Sequence, residues 1–188
     1  MRILAIIGSI RDGNSKILVD ESVREIQKYD NVQIEKIHLK DISMHFCNGC
    51  LVCDSTGKCV FDDDMSGIIS KVRDADAFIF ATPARWRLLS GEMKTFLDRL
   101  NPLAVNEELK NKKAVVFAVG QSDEEANESI RHAAESLKMF CEDAGIKIID
   151  TVIASGCYDK NDMQNKPNYI NSCKLAANHL INSLKTEL

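Results

Sequence analysis

The chain has 188 residues, 45% of them apolar and 28% charged, with a formal net charge of -4. This is an ordinary globular composition, so disordered, collagen-like and coiled-coil classes are excluded, and the length suits one domain, residues 1–188, built on one core. The acidic balance argues against a nucleic-acid-binding surface, which needs clustered Lys and Arg. No segment approaches the roughly 20 apolar residues of a membrane span, and the run from Met1 to Gly8 is too short for a secretion signal. A cytoplasmic protein with no membrane or nucleic-acid partner is therefore expected.

Arg2 to Ile7 is an apolar run closed by Gly8, the pattern of a fully buried parallel strand. From Ser15, the residues Val19, Val23 and Ile26 recur at helical spacing, and Val32, Ile34 and Ile37 form a weaker second strand. A Cys-rich insertion occupies residues 44–61. Met65, Ile68, Ile69 and Val72 then make a helical stripe, with Asp62, Asp63 and Asp64 placed where acids favour a helix N-terminus. Ala77 to Ala81 is the third strand, and Met93, Phe96, Leu97 and Leu100 mark a helix that stops at Asn101-Pro102. Ala114 to Val119 is the fourth strand. Ile130, Ala134, Leu137 and Cys141 lie on a helix capped at Gly145, Ile146 to Ile153 is the fifth strand, and Ile170, Cys173, Ala177, Leu180 and Leu184 line a last helix. Strands alternating with helices predict an α/β fold: a doubly wound parallel sheet with helices on both faces.

The loop after the first strand, Gly8-Ser9-Ile10-Arg11-Asp12-Gly13-Asn14-Ser15, lies where such sheets bind ligands, between a strand's carboxyl end and a helix N-terminus. It is not Gly-x-Gly-x-x-Gly, so the dinucleotide fingerprint is missing, and Asn14 stands where a P-loop requires Lys. What remains is a set of donors suited to one terminal phosphate: Ser9, Arg11, the Asn14 amide, Ser15 and backbone N–H groups around Gly13. The alternative is an ordinary turn followed by a helix cap.

With Thr82-Pro83-Ala84-Arg85-Trp86 and the run Ser90 to Arg99, this loop resembles the NAD(P)H-dependent FMN reductase family of flavodoxin-like proteins. Within it, the cysteine segment is similar to that of the iron–sulfur flavoproteins of anaerobes. The resemblance implies five strands in the order 2-1-3-4-5 and FMN bound by Ser9, Arg11, Gly13, Asn14, Ser15, Pro83, Ala84, Arg85, Trp86 and Gly120. Backbone N–H groups from Ala84 to Trp86 would face the pyrimidine side of the ring. Arg85 departs from the aromatic residue usual there, so Trp86 either supplies the aromatic face or is an ordinary partly buried side chain. Gly120-Gln121-Ser122-Asp123-Glu124 also departs from the family's glycine-rich third loop.

Cys47, Cys50, Cys53 and Cys59 form C-x2-C-x2-C-x5-C, a compact spacing that resembles bacterial ferredoxin ligation more than the paired C-x2-C of structural zinc sites. The resemblance implies a [4Fe-4S] cluster on these four; zinc, or no metal with Cys47 and Cys50 packing or forming a disulfide, are the alternatives. Cys141, Cys157 and Cys173 read as core or incidental thiols. No histidine receives a role, and Lys94 and Asp98 read as a surface pair. The expected protein is an FMN-dependent oxidoreductase with no catalytic side chain, linked to ferredoxin or NAD(P)H and assembled as a homodimer or homotetramer. Its alternatives are a cluster-free NAD(P)H-dependent FMN or quinone reductase and a zinc-stabilised binding module without flavin.

Overall fold

A computed structural model describes residues 1–122 and 128–186. Five strands form one parallel sheet: β1 Arg2–Ile7, β2 Gln33–His38, β3 Ala77–Pro83, β4 Lys113–Val119 and β5 Lys147–Ala154. Their order is β2-β1-β3-β4-β5, the flavodoxin-like arrangement anticipated above. The helices are α1 Asn14–Ile26, α2 Val52–Thr56, α3 Met65–Asp74, α4 Gly91–Asp98, α5 Asn101–Ala104, α6 Glu128–Asp143 and α7 Pro167–Lys185. Among the described residues no helix is long and apolar enough to cross a membrane.

The period-2 alternation of the central strands divides the buried side chains into two cores. Leu4, Ile6, Phe78, Phe80 and Val116 face α3, α4 and α6, whereas Ile3, Ile7, Ile79, Val115 and Phe117 face α1 and α7. β1 pairs with β2 on one side and β3 on the other, with Ile6 opposite Ile37 and Phe80. The crevice beyond β1, β3 and β4 is thus the place where such sheets hold ligands.

Three boundaries differ from the sequence expectation. β3 runs past Ala81 to Pro83, which lies opposite Val119; a proline without an N–H is tolerated at a strand's last position. Asn101-Pro102 ends α4 as expected but also opens the one-turn α5, because Pro fits a helix's first turn. The cysteine segment contains α2, bracketed by Leu51 and Gly57 in the left-handed region. Asp123 and Glu124, part of the third loop, lie outside the described residues.

Gly120, just beyond β4, is a close-approach position: a Cβ there would sit 2.6 Å from Cγ1 of Ile130 on α6. Gly120→Ala is therefore expected to cost about 1–3 kcal/mol, as overpacking does. Urea unfolding should show this loss, and adding Ile130→Val should recover part of it.

Candidate functional site

All ten residues expected to hold the cofactor line one cavity of about 290 Å³. Ser9, Arg11, Gly13, Asn14 and Ser15 come from the loop and first turn of α1; Pro83, Ala84, Arg85 and Trp86 follow β3; Gly120 follows β4. The structure adds Arg87 from a turn tip, Val119 from the end of β4, Gln121 and Ser122 from the third loop, Ser129 from α6 and Cys157 from the loop after β5. No side chain caps the N-terminus of α1, so the helix-cap reading of Asn14 and Ser15 is not what the structure shows. The positive end of the helix dipole faces the cavity without a protein anion.

The donors are used differently from the expectation. The Asn14 amide donates to the Asp159 carbonyl (2.7 Å) while its Oδ1 accepts the Met163 N–H (2.9 Å), so this side chain ties the loop after β5 to α1. Ser9 Oγ accepts the Arg11 N–H at 3.2 Å and donates to the Arg11 carbonyl at 3.0 Å, which fixes the loop's curvature. The Ala84 N–H is bonded to Val119 and the Arg85 N–H to Leu88, so neither is free to face a ring. The reason is local: β3 runs on against β4, and Arg85 and Leu88 close a two-residue hairpin.

The tip of that hairpin is Trp86-Arg87, with φ of 47° and 69°. Positive φ at both central residues is the pattern of a type I′ turn, which favours Asn and Gly; for larger side chains it stores about 1–3 kcal/mol each. Trp86 is 99% exposed, which overturns its reading as a partly buried aromatic. The guanidinium groups of Arg11, Arg85 and Arg87 form no ion pair among the described residues. A single cavity therefore gathers three cations and one exposed indole.

A second cavity, about 440 Å³, is lined by Cys47, Cys50, Cys53 and Cys59 together with Arg99 and Asn101. All seven cysteines are free thiols, and among the described residues no three His, Cys, Asp or Glu side chains converge as metal ligands. Asn101 Nδ2 donates to Cys53 Sγ at 3.1 Å and to Asp54 Oδ1 at 2.8 Å. Burial pushes Cys141 up to about 12 and Cys157 and Cys173 up to about 11, so these thiols stay protonated, consistent with an inert role.

The cysteine segment is tied down by a buried ion pair. Arg99 and Asp63 side chains are 1% and 4% exposed, and the guanidinium holds the carboxylate through bonds of 2.7 and 2.8 Å. Arg99 Nη1 also donates to the His45 carbonyl at 2.8 Å, and Asp63 accepts the His45 and Met65 N–H groups. Asp63 therefore serves Arg99 as well as the start of α3. The Arg99 bonds, helped by His45, hold the Asp63 carboxyl well below the usual carboxylate range despite burial. Burial works against the Arg99 charge, but Asp63 and the neighbouring Cys59 more than offset it.

Helix α4 lines the second cavity with Leu97 and Asp98 and is tied to the base of the first cavity's loop. Its N-cap Ser90 accepts the Met93 N–H at 3.2 Å and donates Oγ–H to the Gly8 carbonyl at 2.5 Å, at the root of the first cavity's loop. Arg99 and Asn101 follow its other end. Lys94 and Asp98 form the expected i, i+4 surface pair.

Fold and cavities define a class, the flavodoxin-like flavin proteins. Residues 1–154 match the model of the NADPH-dependent FMN reductase family, and the chain belongs to it. It is 35% identical over 123 residues to an iron-sulfur flavoprotein of Methanocaldococcus jannaschii, covering 65% of this chain and 63% of that protein. The chain thus spans about three fifths of that relative's length. An iron-sulfur flavoprotein of Archaeoglobus fulgidus is 28% identical over 194 residues, covering 96% of this chain and 94% of that one. In fold, the chain matches a flavone reductase with a TM-score of 0.75 at 18% identity, covering 100% of this chain and 64% of that one.

Because the Asp63 carboxyl titrates lower when folded, its contribution is complete above about pH 4, the ordinary Asp range, and is lost as pH falls toward the folded value. Asp63→Asn, which leaves Arg99 buried and uncompensated, is expected to lose about 3–5 kcal/mol at pH 7. Urea midpoints between pH 7 and pH 3 should fall for the parent chain and show a shallower acid slope for the variant.

Proposed function

We propose that the chain is an FMN-dependent oxidoreductase that also carries a [4Fe-4S] cluster on Cys47, Cys50, Cys53 and Cys59. The observation that carries the flavin reading is the first cavity: the loops after β1 and β3 bring Arg11, Arg85 and Arg87, in no ion pair among the described residues, beside an uncapped helix N-terminus. That donor set fits a phosphate monoester. Its volume, about 290 Å³, is near the ~300 Å³ lower end of small-molecule sites. When bound, FMN would supply hydride or single-electron chemistry at its ring.

In this reading Ser9, Arg11, Gly13, Asn14 and Ser15 hold the phosphate, Asn14 through its backbone because its amide is committed. Pro83, Ala84, Arg85 and Gly120 wall the ring. The exposed Trp86 offers the aromatic face, and the strain of its turn is consistent with a position fixed for contact. The Trp86 and Arg87 N–H groups, bonded to no described residue, replace Ala84 and Arg85 as donors toward the ring. Such donors stabilise negative charge that develops there on reduction. No acid or base side chain is required.

Four thiols on one cavity wall, with Asn101 already donating to one sulfur, suit a soft inorganic core. NAD(P)H or ferredoxin would supply electrons. Phe46, Leu51 and Val60 of the same segment are exposed, Phe46 at 80%, which favours assembly of two or four copies over this face. A cluster-free NAD(P)H-dependent reductase is the second reading, favoured by the lack of converged ligands among the described residues.

Anaerobic purification with flavin, iron and sulfide measured per chain tests this. One FMN with iron and sulfide in the proportions of one [4Fe-4S] cluster is expected. Flavin alone would select the second reading, and protein that stays flavin-free in excess FMN would overturn both. Arg11→Gln is expected to weaken FMN binding by about 10- to 100-fold, as the loss of one charged hydrogen bond does; flavin fluorescence titration measures this.

A further inference from the structure

We infer that Arg99 and Asn101 set the reduction potential of the centre in the cysteine cavity by donating N–H groups to its sulfur atoms, an inference that rests on the [4Fe-4S] reading above. Arg99 is 1% exposed, and its two terminal nitrogens are committed to Asp63 and the His45 carbonyl. Its Nε is buried and has no hydrogen-bond partner among the described residues. Orphaned buried donors are rare and call for a physical reason. Here the orphan belongs to a side chain that lines the same cavity as the four thiols, beside Cys59. Asn101 supplies the second, independent observation, since its amide already donates to Cys53 Sγ at 3.1 Å.

Both donors are held before any cluster is added. Arg99 is fixed by the two-pronged Asp63 bonds and lies with its guanidinium 5.0 Å from the Phe61 ring centroid. Asn101 opens α5 and is braced by Asp54. When a cluster takes up one electron it becomes one charge more negative, so N–H groups aimed at its sulfurs stabilise the reduced form more than the oxidised form. The potential rises accordingly. Asp63 neutralises the guanidinium, so the effect comes from directed N–H dipoles and not from net positive charge. Asn101 already donates to a ligand sulfur and Arg99 lies beside Cys59; neither takes part in bond making.

The test uses the full chain, reconstituted anaerobically with iron, sulfide and FMN and titrated with dithionite through mediator dyes. Cluster reduction is followed by electron paramagnetic resonance and FMN by absorbance. Arg99→Lys keeps a cation for Asp63 but removes the Nε donor; Asn101→Ala removes the other donor and leaves the buried pair intact. With iron, sulfide and flavin content unchanged, each variant should shift the cluster midpoint to more negative potential, the double variant further, and the FMN midpoint should stay in place. An intact cluster titrating as in the parent chain overturns the inference. So does loss of iron from a folded Asn101→Ala chain, which would make Asn101 a holding residue. If Arg99→Lys fails to fold, Asn101→Ala decides alone. A parent chain that takes up no iron or sulfide overturns the cluster reading itself, a result distinct from an unshifted midpoint.

Discussion

Helix α4 is held at both ends by buried polar contacts: one reaches the end of β1, from which the first cavity's loop departs, and the other fixes Arg99, which lines the second cavity. At its start, Ser90 satisfies a free helix N–H and reaches the Gly8 carbonyl where β1 gives way to its loop. Beyond its end, Arg99 closes on Asp63 and grips His45, which fixes the entrance and exit of the cysteine segment against the sheet. Burying an ion pair contributes little net stability by itself, but breaking one leaves a charge stranded in a dry site. The segment between residues 45 and 63 is therefore closed onto the body of the fold by a contact that tolerates no half-measures. Eight residues of helix span about 12 Å, so the two cavities are held at a short, rigid separation.

The first cavity is built by the opposite strategy. Its cations form no ion pair among the described residues, in a chain whose net charge is -4, and its hairpin places Trp86 and Arg87 in conformations that large side chains avoid. Gathered charge and backbone strain both disfavour the empty site, and under the proposed function an anion and a flat ring would relieve or use them. The buried strands beneath bear that cost: β1, β3 and β4 are nearly continuous apolar runs inside two cores, so the loops at their ends can be arranged for binding instead of stability.

Much of this was legible in the sequence because it is local. Strands buried on both faces read as unbroken apolar runs, and the loop after β1 is contiguous, so its five cavity-lining residues stand together in the sequence. Three features escaped because they depend on contacts across the chain. Asn14-Ser15 carries a capping signature, yet the Asn14 amide is taken by Asp159 and Met163, more than 140 residues away. Asp63 sits in a run of three aspartates that reads as helix-terminal charge, and nothing local marks its partner 36 positions on. Trp86 is exposed because of the φ values of its turn, which a sequence of Trp-Arg gives no reason to expect.

The two cavities differ in the charge they suit, and this follows from what each is lined with. Free guanidiniums and a helix N-terminus present mobile, solvated positive charge, which is matched by a phosphate that stays charged in water. The cysteine cavity has the cation of its lining, Arg99, already neutralised by Asp63, and beside the Asp98 and Asp143 carboxylates what remains are fixed N–H groups, thiols and apolar walls such as Phe61, Leu97 and Pro102. Such a lining suits a large, soft core whose charge is spread over many atoms, and it would repel a compact hydrated anion. Under the proposed function each ligand would be directed to its own cavity by desolvation as much as by attraction, with no lid needed to keep the other's ligand out.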